Sequence, residues 1–210
     1  MPFGGGVRAL EHHSESREAT YAHLPGAKVV TPSGPRNARA LLVAAIRDPD
    51  PVVFMEPKHS YRAFREEVPE EEETMPLGKA QVVQEGTDLT LVSWGAMMRP
   101  TLKAAAEIEK KHGTSIEIID ILTIAPLDSN TVVESVSKTG RCVIVQEAPR
   151  SFGLSSELTA CINDKAFLYL EAPVKRLTGY DVVTPYFGRE KSYLPNAPRV
   201  VHAIEETLNF

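Results

Sequence analysis

Short apolar runs alternate with amphipathic segments along most of the 210-residue chain. Runs rich in valine, leucine and isoleucine predict strands at 28–30, 52–55, 89–94, 116–120 and 142–145. Between them, apolar residues three and four positions apart predict helices. Regular alternation of strand and helix is typical of an α/β fold with a mostly parallel sheet, and this is the fold class that we predict.

The predicted helices have recognisable ends and apolar stripes. Ser33-Gly34-Pro35 begins the first helix, because proline is well tolerated in the first turn. Asp128 and Gly140 mark the two ends of a later helix. The residues expected to face inward are Ala38, Leu41, Leu42, Ala45 and Ile46; Leu102, Ala105 and Ile108; Val132, Val133 and Val136; Leu154, Leu158, Cys161 and Ile162; and Val200, Val201, Ile204 and Leu208. The run 52–55 is continuously apolar, which indicates a strand buried on both faces.

An acidic stretch with prolines interrupts this pattern between residues 64 and 78. It contains Glu66, Glu67 and the run Glu70–Glu73, and its simplest interpretation is a solvated linker. A surface that docks a partner is the alternative. We therefore predict two domains, covering residues 1–63 and 79–210.

Composition excludes several classes of function. The net charge is −5 and no basic stripe is visible, which argues against nucleic acid as a partner. No apolar run is long enough for a membrane span, and the first residues do not resemble a signal peptide, so we expect a cytoplasmic protein without a membrane partner. Cys142 and Cys161 lie in apolar stretches and are expected to be buried, reduced thiols.

Two adjacent histidines, His12 and His13, follow the glycine run 4–6 and are flanked by Glu11, Ser14 and Glu15. These neighbours can fix an imidazole tautomer or share a proton, so the segment is either a frayed end or part of an active site. Adjacent side chains on an extended segment point to opposite sides, so at most one histidine faces a given pocket. A phosphate-binding role for the glycines is disfavoured, because they follow no predicted strand.

Two further positions are candidates for chemistry. Glu147 and Arg150 follow the predicted strand 142–145, where the carboxyl end of a parallel strand often lines a ligand crevice. The alternative is an ion pair between them that holds the loop. The turn Ala45–Asp50 combines a helix end with two acidic side chains, which suits a hard cation, although a plain solvated helix stop is the simpler interpretation.

A series of motifs, in the order in which the family has them, resembles the β subunit of thiamine-dependent 2-oxo acid dehydrogenases. The motifs are His12-His13-Ser14-Glu15-Ser16, residues 24–30 (LPGAKVV), 46–54 (IRDPDPVVF), 56–58 (EPK), 138–141 (KTGR), 146–148 (QEA), 170–177 (LEAPVKRL) and 193–196 (YLPN). They extend over the whole chain, so the resemblance is specific.

This resemblance implies a fold, an activity and partners. The expected architecture is a pyrimidine-binding domain over residues 1–63 followed by a transketolase C-terminal-like domain over 79–210. The expected enzyme is an α2β2 heterotetramer with β–β contacts that decarboxylates pyruvate or a branched-chain 2-oxo acid on thiamine diphosphate, shared with the α subunit. It then passes the acyl group to the lipoyl arm of an acyltransferase core. Magnesium would lie on the α side, and a eukaryotic member would be in the mitochondrial matrix.

The resemblance also implies roles for individual residues. His13 matches the active-site histidine, which assists proton transfer during reductive acylation, whereas His12 has no implied role. Ala45, Ile46, Asp48 and Asp50 match a potassium site, and family members often have Asn at the position of Asp50. No cofactor-binding residue is assigned. Family members also carry a long segment before the first motif that includes a cofactor-activating glutamate. We therefore expect a truncated pyrimidine-binding domain and an inactive isolated chain, with a non-catalytic assembly module as the alternative function.

Overall fold

A computed structural model describes the whole chain apart from the side chains of Glu11 and Phe187. The strands are β1 Pro2–Phe3, β2 Lys28–Val30, β3 Val52–Phe54, β4 Glu56–Pro57, β5 Gln81–Gln84, β6 Leu89–Ser93, β7 Ile116–Asp120, β8 Thr123–Ala125, β9 Cys142–Pro149 and β10 Lys175–Gly179. The α-helices are α1 Glu18–Ala22, α2 Pro35–Arg47, α3 Met98–His112, α4 Ser129–Thr139, α5 Leu154–Ala166, α6 Glu190–Tyr193 and α7 Ala197–Leu208. The α/β class and the mostly parallel sheet are confirmed.

The largest sheet has five strands in the order β10-β9-β6-β7-β5. The first four are parallel, and β5 joins the edge antiparallel to β7. Helices α3 and α7 pack together on one face, and α4 and α5 pack together on the other. Both faces are therefore covered, which explains why the central strands are continuously apolar.

Alternating side chains divide the central strands between two cores. Leu91, Ile118 and Val143 face α3 and α7, whereas Val92 and Ile144 face α4 and α5. This is the period of two expected for a pleated strand. The predicted helix ends also have the expected geometry: Asp128 accepts a hydrogen bond from the Thr131 N–H at 3.4 Å, and Gly140 ends α4 with a positive φ of 71°.

A smaller three-stranded sheet has the order β3-β2-β8. Strands β2 and β3 are parallel and come from the first segment, whereas β8 comes from the second segment and pairs antiparallel with β2. The expectation that the strand at 52–55 is buried on both faces was wrong for Val52–Phe54. These residues are only half-buried, because β3 lies at the edge of its sheet, although Met55 is fully buried.

Several predicted inward positions lie in solvent. In α2 only Leu41 of the predicted stripe is fully buried, whereas Leu42 and Ile46 are 43% and 75% exposed. The three-stranded sheet covers only one narrow side of α2, so the predicted apolar stripe is wider than the surface that the sheet buries. In α3 Leu102 is 43% exposed, because α7 packs against the neighbouring side of that helix. Cys142 is buried, but Cys161 is only half-buried, which corrects the expectation of two buried thiols.

The acidic segment 64–78 lies along α2 and does not extend freely into solvent. Arg36 forms an ion pair with Glu73 at 2.7 Å, and Arg47 forms one with Glu72 at 2.7 Å. Arg39 donates to the backbone carbonyls of the same segment. The glutamates are largely exposed, so the segment is solvated but fixed to the helix. In the described part of the chain, no helix has the length and apolar character needed to cross a bilayer.

Candidate active site

The glycine run crosses the carboxyl end of β9 and contacts a buried carboxyl group there. The N–H of Gly5 donates to Glu147 Oε1. Gly4 has a φ of +92°, and a Cβ atom at this position would lie 3.0 Å from the same carboxyl oxygen. Glycine is therefore required both for the backbone conformation and for the close approach.

Glu147 lies inside β9, because that strand continues to Pro149 and does not end at Val145. Its side chain is buried against the N-terminal segment, and its place at a site or interface stays a prediction. Arg150 makes a different contact, donating to the carbonyl of Arg176 at 3.3 Å. The alternative of a Glu147–Arg150 ion pair is therefore wrong.

A second buried carboxylate holds the next part of the segment. Glu190 Oε1 accepts from the N–H of Gly6 at 2.7 Å, and Glu190 Oε2 accepts from the N–H of Arg8 at 3.3 Å. Further along, Thr184 Oγ1 donates to the carbonyl of Ser14 at 3.3 Å. Residues from the second segment therefore fix the chain on both sides of His13.

A third carboxyl group, Glu18 on α1, completes a buried acidic cluster with Glu147 and Glu190. The indole N–H of Trp94 donates to Glu18 Oε1 at 3.3 Å, whereas Glu18 Oε2 is buried without a partner among the described residues. Burial raises the pKa of Glu18. Burial, with smaller contributions from the charges of Glu18 and Glu190, raises the pKa of Glu147 to about 7. The cluster can therefore hold a proton near neutral pH.

His13 lies at the end of the short 3₁₀ helix Leu10–His12, and its N–H donates to the carbonyl of Leu10. The His13 side chain is half-buried and that of His12 is exposed; their ring centroids are 6.5 Å apart. The His13 imidazole has no hydrogen bond or ion pair with another described residue. Glu15 pairs with Arg17 instead, and the side chain of Glu11 lies outside the described residues. His13 is thus available to a group from outside the chain.

The predicted cation site at the end of α2 has a different side-chain arrangement from the one expected. The ammonium of Lys28 lies 2.7 Å from Asp48 Oδ1 and 3.0 Å from Asp50 Oδ2, and it lowers the pKa of Asp48. The single ammonium thus contacts both carboxylates and offsets one of their two charges. The last carbonyls of an α-helix have no intrahelical donor, so those of Ala45 and Ile46 are the oxygens that a cation could use at this turn.

Sequence reasoning missed several residues of this region. Glu18, Glu190 and His59 belong to none of the motifs described above. A Cβ atom at Gly6 would lie 3.1 Å from His59 Cγ, so this imidazole packs directly against the glycine run. The contacts of Gly6 with His59 and with Glu190 are not local in sequence; Gly6 and Glu190 are 184 positions apart.

Comparison with known proteins now places the chain. Residues 78–200 match the transketolase C-terminal domain, and residues 1–63 match the transketolase pyrimidine-binding domain. The chain belongs to the transketolase C-terminal domain family. This assignment agrees with the predicted resemblance. The matched residues 78–200 contain the five-stranded sheet, helices α3, α4 and α5, and the start of α7.

Among relatives of this transketolase-family chain are β subunits of the pyruvate dehydrogenase E1 component. Those of Bacillus subtilis and Acholeplasma laidlawii are 50% and 48% identical over 209 and 206 residues. The matches cover 100% and 98% of this chain but only 64% and 63% of the relatives, so the chain spans less than two thirds of their length.

A solved structure described as a split gene transketolase, inactive beta4 tetramer, is also similar. Its TM-score is 0.79 at 25% identity, with 94% of this chain and 62% of the other chain covered. The likeness extends across both matched domains.

Proposed function

We propose that the chain is the β subunit of a thiamine diphosphate-dependent pyruvate dehydrogenase that acts on pyruvate. The observation that carries this proposal is about 50% identity to pyruvate dehydrogenase E1 β subunits along the whole chain. Pyruvate is favoured over a branched-chain 2-oxo acid because the relatives are named for pyruvate. The assembly would contain an α subunit in an α2β2 heterotetramer and an acyltransferase core that supplies the lipoyl arm.

In this proposal His13 transfers protons at the reactive end of the cofactor. When bound, thiamine diphosphate supplies the nucleophilic carbon and the electron sink that decarboxylation requires. The His13 imidazole and the buried carboxyl oxygen Glu18 Oε2 have no partner among the described residues, and a polar cofactor can satisfy both groups. Glu147 and Glu190 hold the segment that carries His13, so they are positioning residues.

The metal and location proposals rest on separate observations. Potassium would bind the backbone carbonyls at the end of α2, and magnesium would lie on the α-subunit side. A cytoplasmic location is supported by bacterial relatives and by two cysteines without a disulfide.

Reconstitution with the α subunit tests the catalytic proposal. The chain is co-expressed with the α subunit, and reductive acylation of a lipoyl domain is measured with pyruvate and with 3-methyl-2-oxobutanoate. We expect His13→Ala to reduce the rate by about 10²- to 10⁴-fold, the usual contribution of a general acid or base. His12→Ala is the matched control and should stay within about threefold. Equal effects of the two substitutions would refute the assignment of His13. The 210-residue chain alone should show no turnover, because the site is shared with the α subunit.

A non-catalytic assembly module is the second candidate, and the likeness to an inactive β4 tetramer favours it. Native mass spectrometry of the same co-expressed sample separates the two functions. An α–β complex with pyruvate turnover supports the enzyme, whereas a β oligomer or an α–β complex without turnover supports the module.

A further inference from the structure

An open cavity of about 540 Å³ lies between the N-terminal segment, the 3₁₀ helix Lys58–Ser60 and the start of α3. Its lining contains Lys58, His59, Arg62 and Arg99, together with Val7 and Tyr61. We call it the basic cavity. Of its basic residues, Lys58 belongs to the motif 56–58, whereas Arg62 and Arg99 belong to none of the motifs above.

The positive charges of the basic cavity lack acidic partners. Among the described residues, no carboxylate forms an ion pair with Lys58, Arg62 or Arg99, and no aspartate or glutamate lines the cavity. The guanidinium of Arg99 instead lies 5.4 Å from the centroid of the Phe64 ring. Elsewhere on the surface, Arg36 and Arg47 form ion pairs. In a chain of net charge −5, a cavity with basic and no acidic lining is unexpected.

The position of Arg99 increases the local positive potential. Arg99 lies in the first turn of α3, and that turn contains no acidic residue. A cation there is opposed by the partial positive charge of the helix N-terminus. Glu190 is the acidic group that acts on His59, but it does not line the cavity, and its oxygens accept from the N–H groups of Gly6 and Arg8. An anion from outside that binds between Lys58, Arg62 and Arg99 therefore lowers the electrostatic free energy of the cavity.

We propose that the basic cavity binds a small phosphate-bearing anion, of the size of phosphate or diphosphate. Lysine and arginine side chains around a cavity provide both charge and several N–H donors, which is the chemistry that recognises phosphate oxygens. The proposal does not depend on the pyruvate dehydrogenase assignment, since it uses neither His13 nor bound thiamine diphosphate.

His59 provides a direct reporter of binding. Its pKa is lowered by burial and by the charge of Arg99, with Glu190 acting in the opposite direction. The ring is fixed by its contact with Gly6. An added anion stabilises the imidazolium, so binding should raise the pKa of His59 and should be tighter at lower pH.

NMR titration of the full chain tests the proposal. The pKa of His59, assigned with His59→Gln, is measured in sodium chloride, inorganic phosphate and diphosphate at equal ionic strength. We expect diphosphate, and phosphate more weakly, to raise it by at least about 0.5 pH unit over chloride. Calorimetry with diphosphate should then show an affinity at least about fivefold weaker for Arg99→Gln.

Lys110→Gln is the matched control, because it removes the same charge from the exposed far end of α3. Its diphosphate affinity should stay within about twofold of the original chain. The proposal fails if neither phosphate nor diphosphate moves the His59 pKa beyond the chloride value. It also fails if Lys110→Gln weakens binding as much as Arg99→Gln, since that result indicates non-specific screening.

Discussion

In mildly alkaline solution, the variant Glu147→Gln should be more stable than the original chain. Glu147 is fully buried, and its pKa rises from an ordinary value of 4.5 to about 7. Glutamine keeps an oxygen that can accept from the Gly5 N–H but cannot ionise. The substitution therefore removes the cost of a buried charge and leaves the hydrogen bond in place.

The direction of the pH effect follows from proton binding. Between pH 4.5 and about 7 the folded state holds a proton on Glu147 that the unfolded chain has lost. The contribution of this residue is thus fully favourable below pH 4.5 and is lost as pH rises through about 7. At 1.36 kcal/mol per pKa unit, the loss is about 3 kcal/mol. Groups facing Glu147 are Glu18, Glu190 and Tyr193, and the two glutamates act in the same direction.

Urea unfolding between pH 5 and pH 8 measures this effect. At pH 5 the free energies of unfolding of Glu147→Gln and the original chain should agree within about 1 kcal/mol, whereas at pH 8 the variant should be more stable by about 2–3 kcal/mol. Asp120, whose pKa burial raises to about 7, leaves a residual slope in both proteins. Glu134→Gln, at an exposed position, is the control and should reproduce the original curve. Parallel curves for Glu147→Gln and the original chain would refute the reasoning.

Three further predictions use stability or proteolysis. Leu41→Ala should lower the free energy of unfolding by about 2–5 kcal/mol because Leu41 is fully buried, whereas Ile46→Ala on the same helix should change it by less than about 0.5 kcal/mol; chemical denaturation compares them. Gly86→Ala should cost more than about 2 kcal/mol in the same assay, because its Cβ would lie 2.2 Å from the Ile116 carbonyl carbon. Arg36→Gln should accelerate cleavage of the acidic segment by a glutamate-specific protease, as should high salt, because the Arg36–Glu73 pair is exposed; unchanged cleavage would contradict a fixed segment.

Local signals explain which elements could be predicted. The apolar stripe Leu102, Ala105 and Ile108 predicts a helix, and α3 contains all three residues, because a helical period is encoded locally. Strands β5, β8 and β10 were not predicted. Strand β8 has three residues and begins directly after Leu122, which has a positive φ of 53°. Short strands at sheet edges carry little periodic signal, so their pairing is decided by tertiary contacts.

Local sequence signals predict even less of the candidate site. His13 was found through a family motif, and Glu147 through its place at a strand end. The hydrogen bonds that join the His13 segment to Glu147 and Glu190 cross 142 and 184 positions of sequence. No spacing rule covers such distances. The basic cavity was missed for the same reason, because Lys58 and Arg99 approach each other only in the folded chain.

The pairing of β8 with β2 has a consequence for how the molecule comes apart. The acidic segment separates the matched regions 1–63 and 78–200 in sequence, but β8 supplies a strand to the sheet of the earlier region. The Thr31 N–H also donates to the carbonyl of Leu122 at 2.8 Å. A nick between residues 66 and 73 would therefore leave two fragments held as one particle. Residues 1–63 expressed alone would lack part of their own sheet, and the two fragments should regain it only by mixing, as complementing halves of one fold.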